Sequence, residues 1–70
     1  MFNIGDIVQY KDVGTFGDAV YKVIGTEDSE DGVILIIYDI EDEDNLRNGN
    51  GYYAWKFRSL RRKEEYLNET

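Results

Sequence analysis

The sequence predicts a small, mainly β domain, an antiparallel barrel of four or five short strands with a short C-terminal helix or tail. Three observations predict it. Apolar and polar residues alternate over several short runs, β-branched and aromatic residues concentrate in those runs, and seven glycines with no proline punctuate them. Seventy residues form one domain, with the barrel expected over residues 1–60 and a charged helix or tail over 61–70. A chain of this length buries only about 60% of the surface its unfolded form exposes. It holds no cysteine and no histidine, so neither a disulfide nor a thiolate or imidazole metal site can staple it. Aromatic residues, 14% of the chain, must carry much of the core.

The first run, "FNIGDIVQYK", reads as a half-buried strand with Phe2, Ile4, Val8 and Tyr10 facing inward. Gly5 and Asp6 interrupt it with a bulge or tight turn. "DVGTFGDA" is loop chemistry with Phe16 as its apolar anchor. "AVYKVIGTE" is a second strand, with Tyr21 and Val23 on one face and Val20 and Ile24 on the other. A compact turn, "DSEDG", joins it in a hairpin to a third strand, "VILIIYDI". That strand is apolar on both faces, so it either runs centrally in a curled sheet or is covered by another subunit. A long connection over residues 39–51 leads to a fourth strand, "GYYAWKF". Trp55 and Phe57 are expected to close the bottom of the barrel, "FRSL" to form a short helical turn, and "RRKEEYLNET" to end the chain as a helix or tail. The expected core is Ile4, Val8, Tyr21, Val23, Leu35 and Phe57.

The order of "FNIGDIV", "VYKV", a hydrophobic third strand and "YAWKFRSL" resembles the small SH3-like β-barrel proteins of bacteria and their phages. A G-D-x-V strand, a Y-x-V strand and a late aromatic-x-x-F-R turn recur in them in this order. The resemblance covers most of residues 2–60 and implies an SH3-like barrel. The connection at 39–51 is longer and more acidic than that pattern carries, and the missing proline departs from it too.

Charge narrows the function. The formal net charge is −7. Between Glu27 and Asp44 stand nine acids and no Lys or Arg, whereas Lys56 to Lys63 holds five bases and no acid. General nucleic-acid binding is disfavoured by this balance, and a basic protein surface is the better partner. No nucleophile motif accompanies the serines and threonines, and an EF-hand started at Asp39 would need glycine and glutamate where Asp44 and Asn50 stand. The expectation is a non-enzymatic protein without cofactor or metal. No signal-peptide pattern opens the chain, and the longest apolar run, "VILIIY", is too short for a bilayer, so a cytoplasmic location is expected.

The candidate contact surface is Asp39, Glu41, Asp42, Glu43 and Asp44, with Tyr52 or Tyr53 as an apolar anchor. A phage-encoded inhibitor or modulator, presenting this loop to a host nucleic-acid-processing enzyme, fits both the charge and the resemblance. The plainer alternative is a solvated acidic turn. Two other readings stay open: a nucleic-acid or nucleotide binder using Arg58, Arg61, Arg62 and Lys63 on phosphate, or a structural subunit that oligomerises through the strand at 33–38.

Overall fold

The computed structural model describes residues 2–60, and the expected helix or tail over 61–70 lies outside the described residues. Five strands, β1 (Ile7–Tyr10), β2 (Val20–Ser29), β3 (Gly32–Tyr38), β4 (Gly51–Tyr53) and β5 (Phe57–Leu60), form one antiparallel sheet in the order β4-β3-β2-β1-β5. A single helical turn, α1 (Val13–Phe16), lies in the loop after β1, and a 3₁₀ turn (Ala54–Lys56) joins β4 to β5. That turn carries the chain from one edge of the sheet to the other, but no ladder joins β4 to β5. The sheet is therefore open between them.

Period-two alternation decides which side chains go in. Val8 and Tyr10, Tyr21 and Val23, Leu35 and Ile37, and Phe57 make the buried core, with Phe2, Phe16, Ala19, Val33, Tyr52 and Ala54 packed around it. The opposite face of β2 leaves Val20 and Ile24 exposed. The hairpin between β2 and β3 is tighter than "DSEDG" suggested, because the strands pair out to Ser29 opposite Gly32. Gly32 takes φ +126° there, and the Ser29 hydroxyl donates to the Gly32 carbonyl at 2.7 Å. Farther along, Val23 pairs with Ile37 but Gly25 pairs with Ile36, so Ile24 is the extra residue of a β-bulge. A bulge bends its strand and increases local twist. Before it β2 serves β1, and beyond it β2 pairs with β3 alone.

Three expectations are corrected. Ile4 is 67% exposed rather than in the core. The strand does not reach it, because residues 3–6 form a turn closed by the Asp6 N–H on the Asn3 carbonyl at 3.0 Å. Gly5 holds φ +98° at the third position of that turn, and the Asp6 carboxylate accepts from the Asn3 N–H. "FRSL" is a strand, β5, whose four residues pair with Ile7–Tyr10. The helical turn falls just before it, on Ala54–Lys56. Trp55 is consequently 62% exposed instead of closing the core, since strand alternation does not extend through a 3₁₀ turn.

The third strand runs centrally, flanked by β2 and β4. Its outer face is brought close to β4 by Gly51, where an added Cβ would lie 2.6 Å from Ile34 Cγ2 and 3.2 Å from Ile36 Cδ1. Gly51→Ala is expected to cost about 1–3 kcal/mol through overpacking. Leu35→Ala, at a fully buried position on the same strand, is expected to cost about 2–5 kcal/mol. Urea denaturation of both variants checks this, and an undisturbed midpoint for Leu35→Ala would contradict the core assignment.

Candidate functional site

The connection from β3 to β4 is built on a period of three. Asp39, Asp42, Asn45 and Asn48 recur at that spacing, and successive turns close between them. The N–H groups of Asp42, Asn45 and Asn48 donate to the carbonyls of Asp39, Asp42 and Asn45 at 3.2, 3.1 and 3.0 Å. Each turn is reinforced by the side chain at its start. Asp39 Oδ1, Asp42 Oδ1 and Asn45 Oδ1 accept from the N–H of Glu41, Asp44 and Arg47 at 2.9, 3.1 and 2.9 Å. Asp and Asn favour such turns because a short side chain reaches its own backbone two residues on.

Two asparagines fix this coil to itself and to the sheet. Asn48 Oδ1 accepts from the Asp39 N–H at 2.7 Å, while its Nδ2 donates to the carbonyls of Asp42 and Glu43 at 3.0 and 3.2 Å. Asn45 Nδ2 donates to the Tyr21 hydroxyl and to Asp39 Oδ2, both at 3.2 Å. Gly49 N–H donates to the Ile37 carbonyl at 2.8 Å, which ties the end of the loop to β3. Arg47 sets its guanidinium 4.1 Å from the centroid of the Phe16 ring.

The candidate residues fall into distinct places. Asp39 is 8% exposed and its carboxylate serves the loop from within. Glu41, Asp42, Glu43 and Asp44 are exposed. Tyr52 turns inward against Phe16, with ring centroids 5.2 Å apart. Tyr53 lies on the opposite side of the strand, nearly parallel to the exposed Trp55 ring at 6.4 Å, and its hydroxyl reaches Asp31 Oδ2 at 3.4 Å. The structure thus places Tyr53 toward the β2–β3 hairpin rather than the acidic loop. Arg58 is exposed and donates to Gln9 Oε1 from Nη2 and Nε at 2.7 and 3.2 Å. Arg61, Arg62 and Lys63 lie outside the described residues.

Sequence reasoning missed the two aliphatic side chains within the loop. Ile40 is 64% and Leu46 92% exposed, and they stand among the outward acids. The signal was available, since neither occupies a position of the three-residue Asx repeat that turns inward. Among the described residues, no group of three or more acidic side chains is arranged to hold a metal ion, and no helix is long and apolar enough to cross a membrane. Compared with protein-family models, curated proteins and solved structures, the chain matches none of them.

Two predictions follow from the loop's construction. Asn48→Ala leaves the Asp39 N–H without its acceptor and removes the amide donor from the Asp42 and Glu43 carbonyls, and is expected to cost about 1–3 kcal/mol, read by thermal denaturation. Melting temperature is also expected to rise as sodium chloride is brought to the physiological range. The crowded acids of residues 27–44 repel one another, and that repulsion is screened over about 8–10 Å. A fall over the same range would show that attraction between opposite charges dominates.

Proposed function

We propose that this protein is a non-enzymatic binding module whose acidic loop docks on a basic surface of another protein. The observation that carries the reading is the hydrogen-bonded coil at residues 39–48, which spends its Asx side chains on turns and leaves Glu41, Glu43 and Asp44 exposed beside Ile40 and Leu46. A preorganised loop loses little conformational entropy on binding. Exposed carboxylates steer encounter with a cationic surface, and an aliphatic side chain seated in a pocket there slows dissociation. Leu46 takes the anchoring role in place of a tyrosine, because Tyr52 is committed to the core cluster and Tyr53 is remote from the loop. A host enzyme that processes nucleic acid presents the kind of cationic surface this loop fits, and a phage-encoded inhibitor would use it so. The bent sheet, with its two edges linked by one 3₁₀ turn, supports grouping the domain with the small SH3-like barrels.

The test uses Glu41→Gln, Asp42→Asn, Glu43→Gln and Asp44→Asn together. Asn at position 42 can still accept the Asp44 N–H, so the turns are retained while the charge is removed. Binding kinetics against a target captured from host extract are expected to show association slowed about tenfold or more at low salt and little at high salt. Leu46→Ala is expected to speed dissociation by about 5–30-fold at any salt. If the neutralised protein associates as fast as the wild type while Arg58→Ala abolishes binding, the basic strand is the functional element instead.

A further inference from the structure

A second surface, of opposite character, lies around Trp55. The indole projects from the 3₁₀ turn between β4 and β5, over a groove of about 390 Å³ lined by Phe2, Lys11, Val33, Ala54, Trp55 and Phe57. A second hollow of about 500 Å³ is lined by Tyr10, Lys11, Asp12, Trp55 and Lys56. Both sizes fall within the range of small ligand sites. Trp55 and Lys11 border both, so the two hollows are neighbours.

The cations here are placed by the backbone. The Lys11 N–H donates to the Lys56 carbonyl at 2.9 Å, which sets the two lysines side by side where β1 meets the 3₁₀ turn. The Lys56 ammonium lies 5.3 Å from the centroid of the Trp55 ring. Tyr53, the last residue of β4, lies nearly parallel to the indole. The Asp12 carboxylate, at the edge of the second hollow, accepts the Gly14 N–H at 3.0 Å. On a chain of net charge −7, two lysines against one aspartate around the indole leave a local excess of positive charge.

We propose that this groove is a docking site for an extended acidic peptide, with an aliphatic or aromatic side chain against Trp55 and Phe57 and a neighbouring carboxylate on Lys11 and Lys56. The apolar walls fix the need for a side chain rather than a bare anion. The two lysines fix the sign of its neighbour, and tryptophan is enriched at interaction hot spots. A single-stranded nucleic acid would also stack on an indole, but a polyanion meets the repulsion of the whole molecule, whereas one carboxylate meets only the two lysines. The surface is separate from the acidic loop. The groove lies at the Val33 end of β3, and the loop leaves from its Tyr38 end.

Trp55 is the only tryptophan in the chain, so its emission reports occupancy directly. Linear dodecapeptides selected from a random display library on the wild-type protein, and counter-selected on Trp55→Ala, are expected to carry Asp or Glu beside a large apolar residue. A synthetic peptide of the recovered sequence should shift Trp55 emission to the blue on titration. The double variant Lys11→Glu, Lys56→Glu, its fold checked by circular dichroism, should bind it at least about tenfold more weakly. Recovery of no peptide, or of basic peptides that leave Trp55 emission unmoved, overturns the proposal. An equal shift with oligothymidylate assigns the groove to nucleic acid, and a shift on concentrating the protein alone assigns it to a second copy. Either result overturns the peptide assignment.

Discussion

With no cysteine or histidine to supply a covalent or metal crosslink, the fold rests on how one loop side chain, Phe16, is packed. Its ring lies flat on Tyr10 at 3.9 Å and meets Tyr52, Tyr21 and Phe57 edge-on at 5.2, 6.2 and 6.5 Å. Those four partners come from β1, β4, β2 and β5. The face of Phe16 away from Tyr10 receives the guanidinium of Arg47. One ring from a nine-residue connection therefore ties four strands and the acidic loop together. Edge-on aromatic pairs contribute about 0.5–1.5 kcal/mol each beyond their buried area. In a domain of this size several such contacts are a large share of the net stability.

The strand interiors were legible because period two is enforced by the backbone itself. Val8, Tyr21, Val23, Leu35 and Phe57 follow directly from alternation, and all are buried. Two of the failures share one cause: places where the chain leaves the strand conformation within a few residues. Ile4 lies in a four-residue turn and Trp55 in a three-residue helical turn, so each stands where alternation no longer assigns a face. "FRSL" has weak local preference, and its pairing with β1, from residues some fifty positions earlier, decides its state. The loop's charge was legible but its construction was not. Asp39 reads like its acidic neighbours, and only the spacing to Asp42, Asn45 and Asn48 distinguishes an internal brace from a solvent-facing group.

The same chemistry that makes the loop acidic also makes it stiff. Aspartate at positions 39 and 42 supplies carboxylate oxygens to the backbone, and asparagine at 45 and 48 supplies both an acceptor and a donor. Donors are needed where the loop turns back on its own carbonyls, so amides stand in the second half and carboxylates in the first. Glu41, Glu43 and Asp44 are thus mounted on a frame that does not depend on their side chains, whereas Asp42 belongs both to the charges and to the frame. Removing them tests electrostatics, while changing the frame tests geometry.

The arrangement of strand lengths has a consequence for solubility. "VILIIY" combines high β-propensity with no charge, the pattern that seeds cross-β stacking when left exposed. Its central part is hydrogen-bonded on both sides, by the ten-residue β2 and the three-residue β4. The outer strands of the sheet, β4 and β5, are only three and four residues long, too short to template an incoming chain well. The far part of β2 is different, since β1 does not reach it and no described strand pairs with its outer edge. Glu27 and Asp28 occupy that stretch, so a second molecule approaching in register would bring acid against acid. Among the described residues, the most adhesive strand is thus interior and the longest unpaired strand edge carries negative charge.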